Sequence, residues 1–277
     1  MSFGGFTLIK TKERKHLKFC TLASGSSGNC TLVEGGGTAI LIDAGISMRR
    51  IKLGLGKCGI PPENLSGILV THCHSDHVAG LGMMSKYFAV PIFAPYITAG
   101  VIAAQSPECA PYITPFEPGA DIHIGALKIS SFRTMHDAYD SVGYVVSDGD
   151  KTMALATDLG CVTYEVEARI CGVNAAVIEA NHDVDMLKNG PYPYALKRRI
   201  LEDNGHLSNF ACAALAVRLF ESGTKRLVLA HLSSENNTPS LAFKTVCAAL
   251  AERGCAVGDK IAVSVAPRSE ASEFFEI

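Results

Sequence analysis

Gly67-Ile68-Leu69-Val70-Thr71-His72-Cys73-His74-Ser75-Asp76-His77 is the stretch on which the reading of this chain turns. Gly67 to Thr71 reads as a buried strand, and four potential metal donors follow before a helix expected over Val78 to Phe88. In extended backbone His72 and His74 point the same way, because side chains repeat every second residue, while Cys73 points away and reads as packing. Asp76 and His77, at the turn into the helix, can swing toward a second point a few ångströms off. Imidazole and carboxylate suit zinc, iron or manganese, and two such ions about 3.5–4 Å apart need roughly six or seven donors. Other segments must therefore supply the remainder.

Working outward, three further donors stand where a strand gives way to a turn. His136 follows the run Leu127 to Arg133, Asp158 ends Met153 to Thr157, and His231 ends Leu227 to Ala230. Donors at the ends of several strands are held at fixed spacing by the sheets beneath them. N-terminal to the stretch, strands are expected at Leu17 to Leu22, Thr31 to Glu34 and Ala39 to Asp43, then a helix at Ile46 to Cys58. Beyond it come strand Val90 to Ala94, a helix over Pro95 to Ala104, and strands Leu127 to Arg133, Val142 to Ser147 and Thr152 to Ala156, with Asp148-Gly149-Asp150 as a hairpin turn. The last third alternates strand Ala175 to Glu179, helices Tyr194 to Asn204 and Ser208 to Glu221, strand Arg226 to Leu229, helix Ser240 to Glu252 and strand Ile261 to Val265. Strands in both halves, with helices among them and no Pro/Ser-rich linker, predict two β-sheets packed face to face and covered outside by helices. Residues 17–277 are expected to form one such domain, behind a flexible lead-in over residues 1–16.

With 277 residues, a substantial core needs no staples. Lys and Arg number 25 against 27 Asp and Glu, a net charge of −2 that argues against a surface built as a nucleic-acid clamp. None of the ten cysteines forms a C-x-x-C pair, so they read as small buried hydrophobes in a reducing cytoplasm. No signal peptide is visible, and no run of about 18 apolar residues offers a membrane span. Arg49-Arg50-x-Lys52 and Lys197-Arg198-Arg199 are the best basic clusters; each reads as a phosphate contact or a solvated helix face.

His72-x-His74-x-Asp76-His77, followed by His136, Asp158 and His231, resembles the metallo-β-lactamase superfamily from about Leu17 to Val265. Ala23-Ser24-Gly25-Ser26-Ser27-Gly28-Asn29, His136-Asp137-Ala138, Glu179-Ala180-Asn181-His182-Asp183 and Gly205-His206-Leu207-Ser208-Asn209 make it similar to the bacterial YycJ (WalJ) branch. The resemblance implies an αββα four-layer sandwich with a dinuclear site at one edge. It assigns His72, His74 and His136 to one metal and Asp76, His77 and His231 to the other, with Asp158 bridging them. It also makes Asp43 an acceptor that steers a ligand histidine, with a turn-forming Asp after a strand as the competing explanation. The cofactors expected are two divalent ions, zinc first, with manganese or iron as alternatives.

Two such ions lower the pKa of a shared water and offset the charge that grows on a phosphate. Glu179 and His206 resemble the motifs of tRNA-processing RNase Z in which a Glu orients a His that protonates the leaving oxygen. His182 could hold a phosphate oxygen or substrate. Asp76, His206, Glu179 and His182 make up the expected catalytic set, although helix-start and turn roles would also explain His206 and His182. Ser26, Ser27, Asn29 and Ser208 are candidate phosphate contacts, with a tight hairpin as the plainer account of the serine loop. The expectation is a dinuclear-metal hydrolase acting on nucleic acid, DNA favoured, resembling an exonuclease. A small-molecule hydrolase of the same fold, taking a lactone, thioester or cyclic phosphodiester, is the alternative, and a metal-binding scaffold without turnover is a third reading. Metal identity, oligomeric state and the mode of cleavage stay open at this level.

Overall fold

The computed structural model describes residues 16–277, so the lead-in expected over residues 1–16 lies, apart from His16, outside the described residues. Sheet one runs through β1 (Lys18–Ala23), β2 (Cys30–Gly35), β3 (Thr38–Ile42), β4 (Leu65–Leu69), β5 (Ile92–Pro95) and β6 (Ile113–Phe116). Sheet two runs through β7 (Asp121–Ile124), β8 (Leu127–Arg133), β9 (Val142–Ser147), β10 (Thr152–Ala156), β11 (Ala175–Glu179), β12 (Arg226–Ala230) and β13 (Ala262–Val265). The short strand β14 (Phe275–Glu276) returns to pair with β1 and makes sheet one seven-stranded, matching the seven of sheet two.

Both sheets are mixed. In sheet one β1, β2 and β3 are antiparallel and β3 to β6 parallel, while in sheet two β7 to β10 are antiparallel and β10 to β13 parallel. Both faces of the central strands are buried, which is why they read as continuous apolar runs. The pleat then sorts alternate residues between layers. Ile40 and Ile42 of β3 meet Met153 and Leu155 of β10 between the sheets. Their neighbours Ala39 and Leu41 face α1 (Met48–Lys57), α3 (Leu81–Phe88) and α4 (Tyr96–Gln105) through Ile51, Leu55, Met84 and Ile102. On the other outer face Ala154 and Ala156 pack with α5 (Tyr164–Ile170), α8 (Asn209–Glu221) and α9 (Pro239–Glu252) through Val166, Leu215 and Val246. Three apolar layers therefore hold a helix–sheet–sheet–helix stack, and each fully buried Leu or Ile contributes about 1.5–3 kcal/mol.

The expected strands β8 to β11 coincide with those observed, and several helices do not. The helix expected from Val78 is two helices, α2 (Ser75–Val78) and α3, so Asp76 and His77 lie within a helical turn rather than before it. The break falls at Gly80, where a Cβ would stand 2.3 Å from the carbonyl oxygen of Ile46. The helix expected to reach Asn204 ends three residues earlier as α7 (Tyr194–Leu201). Helices α5 and α6 (Val184–Asn189) and strands β6, β7 and β14 were not expected; each is short, and such elements draw their stability from packing more than from local pattern. Among the described residues no helix is long and apolar enough to cross a membrane. All ten cysteines are free thiols.

Candidate metal centre

The parallel halves of the two sheets end on the same side, and their C-terminal ends deliver the predicted donors except His136, which follows the antiparallel strand β8. Asp43 follows β3, Thr71 to His77 follow β4, Asp158 follows β10, Glu179 ends β11 and His231 follows β12. Asp43, Asp158 and His231 all hold left-handed backbone, with φ of 61°, 57° and 57°. Asp and His visit this region more often than most side chains, yet a non-glycine residue there still costs of order 1–3 kcal/mol, which neighbouring contacts must offset. Here Ser24 Oγ accepts the His231 amide at 2.8 Å, and Asn181 Nδ2 donates to the His231 carbonyl at 3.0 Å.

Two clusters of donors face each other. His72 Nε2 lies 3.0 Å from His74 Nδ1, and His136 Nε2 lies 3.2 Å from the same atom, so three lone pairs converge on one point. In the second cluster Asp76 Oδ2 is 3.5 Å from His77 Nε2 and 3.6 Å from His231 Nε2. Asp158 sits between them, with Oδ2 3.3 Å from His77 Nε2 and Oδ1 3.8 Å from His136 Nε2. The donor set fits divalent ions on an observation independent of family pattern. Asp158 Oδ2 and His231 Nε2 are buried and have no hydrogen-bond partner among the described residues. Buried polar atoms left unpaired cost free energy, and a cation between them would remove that cost.

The surrounding residues choose which ring nitrogen is free. Asp43 Oδ2 accepts from His77 Nδ1 at 2.8 Å, and the same carboxylate accepts the Thr71 amide at 2.8 Å and the Thr71 hydroxyl at 2.9 Å. The Gly205 carbonyl accepts from His136 Nδ1 at 3.2 Å. In each case the proton is held on Nδ1 and Nε2 faces the cluster as an acceptor, that of His77 with Asn29 Nδ2 3.0 Å away. Glu179, fully buried, does this twice: Oε1 accepts from His231 Nδ1 and from His206 Nδ1, both at 2.8 Å, and Oε2 accepts the amides of Leu159 at 2.8 Å and Leu207 at 3.1 Å. Burial would raise the Glu179 carboxyl, but the two histidines outweigh it and bring it down to about 2. Burial works the other way on His206, where the Glu179 carboxylate prevails and lifts the ring above its ordinary value. Burial dominates at His182, outweighing the carboxylates of Glu179 and Asp183, and the ring falls to about 4.

Several expectations are corrected. His182 is 1% exposed, neither ring nitrogen has a partner among the described residues, and it lines no part of the groove, so it is not placed to hold substrate. Ser208 is the N-cap of α8, its hydroxyl accepting the Ala211 amide at 3.2 Å, and it too is absent from the groove. Asn29 turns inward: Oδ1 accepts the Gly25 amide at 2.9 Å and Nδ2 lies 3.0 Å from His77 Nε2, so it braces the donors rather than a phosphate. Ser27 is exposed but outside the groove, whereas Ser26 lines it. Thr71, Ser24, Asn181 and Asp137 were given no role from sequence. Asp137 Oδ1 stands 3.4 Å from His136 Nε2 and 3.6 Å from His74 Nε2, and its other oxygen pairs with Arg199 of α7. Each of these lies inside or beside a quoted motif, which was the available signal.

A groove of about 290 Å³ opens over the donors, lined by Ser26, His74, Asp76, His136, Asp158 and His231, with Arg199 and His206 on its rim. A family model for the β-lactamase superfamily domain matches residues 38–232. The chain therefore belongs to the metallo-β-lactamase superfamily and is YycJ-like within it. It is 37% identical over 246 residues to the exodeoxyribonuclease YycJ of Bacillus anthracis, covering 88% of this chain and 92% of that protein. To the exodeoxyribonuclease WalJ of Streptococcus pneumoniae strain D39 it is 37% identical over 249 residues, covering 87% and 91%. The fold also matches the crystal structure of the metallo-β-lactamase fold protein YhfI from Bacillus subtilis, with a TM-score of 0.67 at 16% identity over 93% of this chain and 99% of that one.

Proposed function

We propose that the protein is a dinuclear-metal-dependent phosphodiesterase that removes nucleotides from DNA in the cytoplasm, its residues 17–277 acting as one domain. The observation that carries the reading is the Glu179–His206 pair beside the donor clusters. Glu179 fixes the Nδ1 proton of His206 at 2.8 Å, and His206 Nε2 makes no hydrogen bond among the described residues while its ring lines the groove. An imidazolium there can protonate a leaving oxygen. A thioester expels a thiolate that needs no such acid, whereas a nucleic-acid alkoxide does, at a gain on the order of 10²–10⁴. Substrate preference for DNA over RNA is supported by the names of the YycJ and WalJ relatives.

His72, His74 and His136 would hold one ion, Asp76, His77 and His231 the other, and Asp158 would touch both; the nitrogen and oxygen donors suit zinc, manganese or iron. Bound there, the ions would supply Lewis acidity and positive charge beside the phosphate oxygens. The chain's own part begins with Asp43, Gly205 and Glu179, which hold the ligand rings in one tautomer. As the oxygen of water bonds to phosphorus, the bond from phosphorus to the leaving oxygen breaks and that oxygen takes the proton of His206. The water's proton passes to solvent, from which His206 is recharged, with Glu179 stabilising the imidazolium throughout.

The test is metal-reconstituted protein incubated with end-labelled single- and double-stranded DNA and RNA, with bis-p-nitrophenyl phosphate and with nitrocefin, against an Asp76→Ala control. Release of mononucleotides from DNA, absent in the control, is expected. Nitrocefin cleavage without phosphodiester cleavage overturns the reading.

A further inference from the structure

A second cavity, of about 170 Å³, adjoins the groove and shares three residues with it: Ser26, Arg199 and His206. The donor clusters do not reach into it. Tyr192, Leu196 and Ile200, from α7 and the turn before it, line one part, and Asn181 and Ser233 supply polar atoms elsewhere. The proposed acid His206 thus stands at the boundary between two spaces: one presents metal donors, the other an aromatic ring and apolar side chains.

We infer that this cavity seats the nucleoside attached to the leaving oxygen, with Tyr192 and Leu196 against the base and Arg199 against a phosphate. The inference rests on the phosphodiesterase reading of the groove and extends it to substrate selection. If His206 protonates the leaving oxygen, the group bonded to that oxygen lies on the His206 side, and that side opens into this cavity. Its volume, smaller than the groove's 290 Å³, suits one sugar and base rather than a length of strand. A tyrosine face suits a base without choosing among the four, because every base offers a π-face.

Arg199 is fixed for its part. Its Nε and Nη2 pair with Asp137, whose other oxygen stands near His74 and His136, so α7 is tied to the donor cluster through one carboxylate. A guanidinium carries five N–H donors, and those not turned to Asp137 remain for a phosphate at the junction of the two spaces. The neighbouring basic side chains are otherwise engaged: Lys197 donates to the Lys188 carbonyl at 2.8 Å and Arg198 pairs with Glu202 at 3.0 Å. Of the Lys197-Arg198-Arg199 cluster, Arg199 is therefore the member turned to substrate.

The experiment measures inhibition of bis-p-nitrophenyl phosphate hydrolysis by deoxyadenosine 5′-monophosphate and by inorganic phosphate, in the metal-loaded protein and in Tyr192→Ala, Tyr192→Phe and Leu196→Trp. The wild-type protein is expected to bind the nucleotide more tightly than phosphate. Tyr192→Ala should shrink that preference by about tenfold, within the roughly 5- to 150-fold of one lost stacking contact. Tyr192→Phe should keep it, and Leu196→Trp, which fills the cavity, should remove it. A preference unchanged in both Tyr192→Ala and Leu196→Trp overturns the assignment. Should bis-p-nitrophenyl phosphate and DNA both resist hydrolysis, the functional reading fails separately. Calorimetric binding of the nucleotide to the same variants then decides the cavity by the same comparison.

Discussion

Glu179→Gln separates the chemistry of one carboxylate from its shape. Glu179 accepts from four donors, two ring nitrogens at 2.8 Å on Oε1 and two backbone amides at 2.8 and 3.1 Å on Oε2. Glutamine fills the same volume but offers one acceptor atom and one NH₂ group, so either orientation turns donors against donors. With its oxygen toward Leu159 and Leu207, its NH₂ faces His206 and His231. Both rings must then move their proton to Nε2, which blocks the atom that His231 turns to the donor cluster. In the opposite orientation two buried backbone amides lose their acceptor, at about 1–3 kcal/mol each. The first arrangement is the cheaper, because a neutral imidazole can change tautomer. Metal affinity at the Asp76, His77 and His231 cluster should then fall about 10- to 100-fold, with the first cluster nearly untouched. Turnover should drop on the order of 10²-fold or more, since His206 loses the carboxylate that stabilises its charged form. Equilibrium dialysis with elemental analysis reads the metal, and bis-p-nitrophenyl phosphate kinetics read the turnover. A Glu179→Gln protein that binds both ions and turns over within about threefold of wild type, against the 10- to 100-fold expected of such a partner, would refute the idea that this carboxylate sets the tautomers.

Other perturbations probe neighbouring parts of the same argument. His206→Ala should lower kcat by about 10²–10⁴ and leave metal content intact by elemental analysis; loss of both metals with activity would make His206 structural instead. Gly45→Ala places a Cβ 1.6 Å from the Asp76 carbonyl oxygen, and because that neighbour is backbone the site must shift. Overpacking of this kind costs about 3 kcal/mol, so a fall of roughly 6–12 °C in Tm is expected by calorimetry, and an unchanged Tm would show the approach to be slack. Glu179 also makes an acid prediction for the chelated protein: its carboxyl is held at about 2 against an ordinary 4.5. The ionised form therefore stabilises the fold above about 4.5, and that stability is lost as pH falls toward 2. Wild-type Tm should converge on that of Glu179→Gln over this window, and parallel curves would count against it.

Much of the site was legible because its donors are chemically conspicuous. His72, His74, Asp76 and His77 stand close in sequence at the end of an apolar run, and His136, Asp158 and His231 each end another. The residues that were misread carry ordinary side chains whose role depends on direction. Ser208 and Asn29 have the chemistry of anion contacts, yet one hydroxyl caps a helix and one amide turns inward to His77. His182 looks like its functional neighbours in sequence, but a strand-like residue beside Asn181 must project to the other side, and that side is sealed. Helices α5 and α6 escaped notice because six or seven residues hold too little periodicity to show.

By itself the sequence determined where the buried strands lie, since a continuous apolar run is a local property, and it presented the candidate metal donors in chain order. Tertiary structure alone decided which strand ends meet. Ser24 supports the His231 backbone from 207 positions away, and Asp137 reaches Arg199 across 62. No local pattern encodes such pairs, because they follow from how two sheets stack and on which side their parallel halves end. The sharing of one Glu179 oxygen between His206 and His231 belongs to the same class of fact. It joins the ligand ring to the acid ring through a single buried charge, and only the stacked sheets bring the three together.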